Sequence, residues 1–308
     1  MVTASAPGKF ILFGEHAVVY GKTAVAVAMD RRFACSIEYS EENSLNGKSV
    51  SFDKHPYIHH MLRKHGMENV AVDTVSDIPA GSGLGSSAAL SVSFSAAVRA
   101  LKGLPSDGKD IAEDAFDTEY AVQGRASPVD TSACTHGRGI AVNGPGNSEL
   151  WSISRNGNSW NIADIDVPEM TIVVGHTGIH APTGPLVERV RKFRDKNGFA
   201  SDMVDEIGDI ALRGIGLMKK NDIEGIGELM THNHKLLSIL GVSCNELNKL
   251  VNAALPYSYG AKLTGAGGGG SMIALTDKPD KVCETILKHG GTPFTVKTAQ
   301  PGVVIKNI

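Results

Sequence analysis

The chain has 308 residues, 42% of them apolar and 20% charged, with a formal net charge of −3 at pH 7. That length allows about one to two domains, and a core of this size buries roughly three quarters of the unfolded surface without covalent staples. A slightly acidic balance lacks the concentrated basic face that nucleic acid demands, and no run of about eighteen apolar residues is present to span a membrane.

Residues 9–13 and 23–39 are apolar with β-branched content and read as strands, separated by Gly21-Lys22. A short helix is predicted over 56–65. The alternation at 70–75 predicts a strand that runs into a glycine-rich loop at 79–89. From Ser86 to about Ala100 small and apolar residues occur nearly all round, the pattern of a helix buried on most faces. In 109–123, Ile111, Ala112, Ala115 and Phe116 recur at helical spacing and put Glu119 one turn beyond Ala115. Residues 140–142 and 150–153 look like a strand pair, and 155–161 is polar and turn-rich. A strand at 170–175 precedes a loop and a basic helix at 183–196. Helices at 201–220, 223–240 and 244–254 follow, and a glycine strand-loop and an αβ unit complete the pattern. Strands crowd the first half and helices the second, which predicts two α+β lobes with a boundary near 155–170.

Four scattered cysteines, Cys35, Cys134, Cys244 and Cys283, never approach a C-x-x-C spacing, so neither a zinc site nor a disulfide framework is expected. No basic segment precedes an apolar core at the start, and a cytoplasmic location is expected.

Three glycine-dense stretches carry the chemistry. They are P-G-K at 7–9 running on to F-G-E-H at 13–16, P-A-G-S-G-L-G-S-S-A-A at 79–89, and K-L-T-G-A-G-G-G-G at 262–270. Glycine lets backbone amides approach a bulky anion, and a helix start offers unpaired N–H groups to phosphate. Gly81, Gly83 and Gly85 lead into Ser86 and Ser87, either of which could cap the helix and turn a hydroxyl towards Mg²⁺. No Gly-Lys-Ser/Thr closes the loop, so it is not a Walker A motif. A tight turn plus a helix cap is the bland alternative.

The 79–89 stretch resembles the phosphate loop of the GHMP kinases, the superfamily of galactokinase, homoserine kinase, mevalonate kinase and phosphomevalonate kinase. The opening A-P-G-K-F-I-L-F-G-E-H-A-V-V-Y-G at 6–21 is similar to the mevalonate kinase branch, as is 262–270. The segment from Glu119 to Asp130 resembles the one that carries a metal carboxylate and, eleven residues on, a catalytic aspartate.

The resemblance implies an α+β, two-lobe GHMP kinase fold. Residues 1–165 would form a lobe like ribosomal protein S5 domain 2, with a final strand near 294–306 returning to it, and 166–308 a ferredoxin-like lobe. It implies Asp130 and Lys9 as catalytic residues, Ser87 and Glu119 as Mg²⁺ ligands, and Glu15, His16 and Thr183 as acceptor contacts. For ATP it implies Ser76, Gly81, Ser82, Gly83, Leu84, Gly85, Ser86, Ser87, Gly265 and Gly267. The implied reaction is ATP-dependent phosphorylation of the primary hydroxyl of mevalonate, by a homodimer with no nucleic-acid or membrane partner. A related acceptor (a sugar, homoserine or a phosphorylated mevalonate) and a non-catalytic ligand sensor are the alternatives.

The roles are physically coherent. Mg²⁺ takes oxygen ligands and keeps several waters, so one hydroxyl and one carboxylate suffice beside the phosphates. Asp130 would receive the proton, and Lys9 would neutralise the group in transfer. The chain departs from the family at T-H-G-R-G (135–139), which puts local packing around His136 and Arg138 in question. His55, His59, His60 and His65 sit among cations and read as a wet surface rather than a metal site, and His232 and His234 read as structural.

Overall fold

The computed structural model describes residues 1–124, 126–180 and 182–307. Strand β1 (Val2–Phe13) pairs antiparallel with β2 (Ala24–Tyr39). It begins well before residue 9, because Pro7 and Gly8 do not end the strand but sit at a register shift between Pro7 and Lys9. Such a bulge re-aims the following side chains. The hairpin of β3 (Ser44–Leu45) and β4 (Lys48–Ser49) leads to helix α1 (Pro56–Lys64) and then β5 (Val70–Ser76).

Helix α2 (Ser86–Leu101) buries almost every face, as its small-residue composition predicts, packing on β1 and β2. Helices α3 (Gly108–Gln123) and α4 (Val129–His136) flank it. Next come β6 (Gly139–Val142), β7 (Ser148–Arg155) and β8 (Asn158–Asp164). The expected pairing of 140–142 with 150–153 is wrong: β8 lies between β6 and β7. The polar stretch at 155–161 hides a hairpin, its turn made by Asn156 and Gly157, both at positive φ. The exposed polar residues Asn158, Ser159 and Asn161 mask β8 as a strand.

The chain then crosses to a second sheet with β9 (Thr171–His176), followed by α5 (Thr183–Lys196), α6 (Gly198–Lys219), α7 (Ile223–Ile239) and α8 (Asn245–Ala254). Strands β10 (Gly260–Thr264) and β11 (Ser271–Leu275), helix α9 (Pro279–Lys288) and β12 (Thr292–Lys297) complete it. The order β10-β11-β9-β12, antiparallel throughout, is that of a ferredoxin-like unit with extra helices in its first crossover. Strand β13 (Val304–Asn307) leaves this sheet and pairs with β1 in the first. One apolar cluster runs through both sheets, joining Phe10, Leu12 and Phe13 to Ile172, Val174, Ile273 and Val296.

A carboxylate ties the helices behind the first sheet together. Asp114 of α3 is buried and meets Lys64 of α1 at 2.7 Å, His65 at 2.9 Å and Arg99 of α2 at 2.7 Å. Its donors hold it well below the usual carboxylate range despite burial, which acts the other way. The stability it supplies is therefore present above the unfolded carboxyl value of about 3.9 and is lost as pH falls below it. Asp114→Asn should cost about 1–3 kcal/mol at neutral pH, since it weakens three donors at once although Lys64 and Arg99 keep Asp117 and Asp110. Urea unfolding from pH 7 down to pH 3 should also show a flatter acid limb than wild type, and an unchanged limb would remove Asp114 from this role.

Candidate active site

Lys9 follows the β1 bulge and is 1% exposed. Its stem runs beneath Gly85, where a side chain would meet Lys9 Cγ and Cε at 2.9 Å. Gly85 is also left-handed (φ 75°), so two constraints select glycine there. At the far end, Lys9 Nζ lies 2.8 Å from Asp130 Oδ1.

Asp130 sits in the first turn of α4. Pro128 is the residue before the helix, where its fixed φ helps to start it. A carboxylate there is favoured by the helix dipole. The far end of α4 is clamped: His136 Nε2 lies 2.7 Å from Asp164 Oδ1, and Val303 N–H donates to Thr135 O at 2.9 Å. His136 and Arg138, the departures from the family pattern, both serve Asp164.

Ser87 and Glu119 meet across α2 and α3, the hydroxyl donating to Glu119 Oε1 at 2.9 Å. Glu119 is buried. Burial and the neighbouring Asp130 charge push its carboxyl up to about 8, while the Ser87 hydrogen bond and Lys9 pull it back. A buried carboxyl so raised lacks a cation, and the adjoining hydroxyl supplies the second hard oxygen. The pair thus fits Mg²⁺, which is held by few protein ligands plus phosphates. Among the described residues no cluster of three or more His, Cys, Asp or Glu is set to hold a metal, and His59, His60 and His65 have separate partners in Asp53, Thr118 and Asp114.

Neither serine caps α2. Gly85 is the cap residue and makes no side-chain cap, so the N–H groups of the first turn remain open to an anion. Ser86 and Ser87 are half-buried at this opening, and Leu84 is fully buried beneath it. Ser82 turns inward and donates to Pro79 O at 2.6 Å, which fixes the loop. Ser76 ends β5 with its hydroxyl engaged by Ile78 backbone groups at 3.1 and 3.2 Å, so it shapes the entry to the loop.

The third glycine stretch closes on the other two. A Cβ on Gly265 would stand 3.6 Å from Gly83 O, and one on Gly81 would stand 3.0 Å from His180 Nδ1. Gly267 (φ 86°) serves close packing instead, because a side chain there would collide with Val242 O. His16 Nε2 lies 2.9 Å from Ala266 O. His16 is buried, and that burial lowers its pKa, opposed by the Ala266 carbonyl and Glu15. Glu15 is committed to Lys262 and Asn233, both buried with it. Thr183 opens α5 and is exposed, just beyond His180.

Lys262, Asn233 and His180 were missed by sequence reasoning. For Lys262 a signal existed: a lone cation inside an apolar strand ahead of a glycine loop. Asn233 and His180 carry no local signal. His234 is structural as expected, accepting from Leu263 N–H at 3.3 Å, while His232 is exposed beside Glu206. Two open cavities, of about 450 and 910 Å³, lie elsewhere, between α6 and α7 and beside α1.

Residues 55–138 match the GHMP kinases N terminal domain and residues 215–290 match GHMP kinases C terminal. The chain is 34% identical to mevalonate kinase of Pyrococcus furiosus, with 100% of this chain and 99% of that protein covered. It is 35% identical to mevalonate kinase of Methanothermobacter thermautotrophicus, covering 88% and 89%. The solved structure of L. major mevalonate kinase in complex with R-mevalonate superposes with a TM-score of 0.80 at 25% identity, over 96% of this chain and 95% of that one. Methanococcus jannaschii mevalonate kinase gives 0.79 at 26% identity, over 97% and 98%. Fold and sequence agree, and the chain belongs to the mevalonate kinase family of the GHMP kinases.

Proposed function

We propose that this chain transfers the terminal phosphoryl group of ATP to the primary hydroxyl of mevalonate, giving 5-phosphomevalonate. The observation that carries the reading is the Lys9–Asp130 contact at 2.8 Å beside the Ser87–Glu119 pair, at the open start of α2.

Phosphoryl transfer asks a protein for positioning and charge neutralisation rather than covalent chemistry. In this reading ATP phosphates lie along 81–87, with Gly265 facing Gly83 across the groove. Asp130, 35% exposed at its side chain, accepts the proton of the acceptor hydroxyl. Lys9, anchored by burial, offers its charge to the oxygen in transit without moving. Ser87 and Glu119 would hold Mg²⁺, which supplies charge neutralisation on the phosphates when bound. His16 contacts the acceptor, Glu15 supports it from behind, and Thr183 and Ser76 border the two substrates. Residues 1–165 with β13 form the first lobe, and the rest of 166–308 the second. The four cysteines are unpaired, which supports a reducing, cytoplasmic setting. A homodimer rests on the family resemblance.

An ADP-release assay over mevalonate, phosphomevalonate, galactose and homoserine tests the reading directly: turnover should be confined to mevalonate, and a preference for another acceptor would overturn it. Asp130→Asn should keep the fold and ATP binding but lower kcat by about 10²–10⁴-fold. Retention of more than about a tenth of the rate would remove Asp130 from its place, since a base in the transition state contributes far more.

Glu119 also sets a pH signature. A carboxyl at about 8 is protonated at neutral pH, so a cation must displace that proton. The Mg²⁺ concentration for half-maximal rate, at saturating ATP, should fall as pH rises from about 6.5 to about 8.5. Ser87→Ala should raise that concentration about tenfold, and Glu119→Gln should abolish its extra slope with pH. A wild-type slope no steeper than that of Glu119→Gln would count against the ligand assignment.

A further inference from the structure

Strand β10 and its glycine loop grip the end of β1 and the loop after it at three points. Thr264 Oγ1 accepts from Ile11 N–H and donates to Ile11 O, both at 3.0 Å. Ala266 O faces His16 Nε2 at 2.9 Å. Between them, Lys262 Nζ donates to Glu15 Oε1 and to Leu263 O, and Asn233 Nδ2 of α7 donates to Glu15 Oε2 at 3.0 Å. Lys262, Glu15 and Asn233 are each at most 1% exposed. The ion pair therefore bridges the two sheets in a dry interior.

A buried pair of this kind is seldom better for stability than apolar residues of the same volume. What it supplies is fixed geometry, and the adjoining residue needs fixing. His16 has φ 62° and ψ −38°, a conformation that a residue with a Cβ keeps only when its surroundings hold it there. Its Nδ1 is buried with no protein partner among the described residues. An unpaired buried ring nitrogen beside a substrate groove is a group awaiting a ligand.

We propose that Lys262 is a positioning residue for acceptor recognition: by fixing Glu15 it locks the strained His16 turn in the conformation that presents Nδ1 to the acceptor. The inference rests on the reading of this groove as the acceptor site. Lys262 has no contact with substrate in this scheme and acts through its neighbours.

Three full-length variants, Lys262→Met, Glu15→Gln and the double variant, decide the matter. Lys262→Met alone should melt early, because it leaves Glu15 buried without a partner. The double variant should recover most of the melting temperature yet keep an acceptor KM raised at least about tenfold, with the KM for ATP within roughly threefold of wild type. Glu15→Gln should raise the acceptor KM by less than the double variant does, since its amide oxygen can still accept from Lys262 while its NH₂ faces the Asn233 donor. Should the double variant not fold, Asn233→Ser frees one Glu15 oxygen more gently, and the acceptor KM should rise at least about threefold.

An unchanged acceptor KM in a folded double variant, or in Asn233→Ser, would make the pair merely structural. An acceptor KM raised as far in Glu15→Gln as in the double variant would show the carboxylate itself touching the acceptor. The ¹⁵N imidazole signal of His16, assigned by its loss in His16→Gln, should move further in the double variant than in Glu15→Gln. That signal needs no acceptor. A wild-type protein that ignores mevalonate would thus refute the functional reading, while an unmoved His16 signal would refute the role of Lys262.

Discussion

A primary ammonium held almost wholly out of water, with one carboxylate at its tip, organises the rest of this molecule. Lys9 cannot search for its partner, because the bulge before it, the bare Cα of Gly85 above it and the sheet beneath it fix its stem. Asp130 is brought to it by a short helix anchored at the opposite end. Glu119, close enough to feel the Asp130 charge, adds a second carboxyl to one ammonium. The balance of charge in this space is short of cation, which is the condition that a metal–nucleotide complex would satisfy.

In the proposed reaction the surrounding glycine loops meet a complementary need. A phosphate chain carries several charges, and side chains able to neutralise them all would have to be ordered one by one. Backbone N–H groups at a helix start are ordered already by the helix itself, so they are present at no further entropic cost. Gly85, with no side chain to cap α2, leaves those groups open. Gly267 illustrates the other use of glycine, since its closeness to Val242 seats the third loop on the end of α7 and its following turn.

How much of this was legible in the sequence follows from how local each signal is. Helix α3 and the buried α2 were readable because periodicity and composition are properties of the segment itself. The Ser87, Glu119, Asp130 and Lys9 set could be named through motif resemblance, although α4 could not be foreseen from a run as short and polar as 129–136. Strand β8 was hidden by its exposed polar residues, and the order β6-β8-β7 cannot be read from strand content alone. The partners of Glu15 were out of reach, because nothing near residue 15 announces that Lys262 and Asn233 lie beside it. Long-range burial, not spacing, decides such contacts.

The pairing of β13 with β1 has a kinetic side. During synthesis β1 emerges long before β13, and one stretch of that strand must remain unmatched on its outer edge until β13 is made. Contacts between such distant segments slow folding, since a large loop must close before they gain anything. Meanwhile β2 pairs with the other edge of β1 at once, so the nascent half-sheet has a partner on one flank only. An unmatched edge invites pairing with another nascent chain. Thr3 and Ser5, within the stretch that β13 later covers, make it a less adhesive ribbon than an all-apolar one.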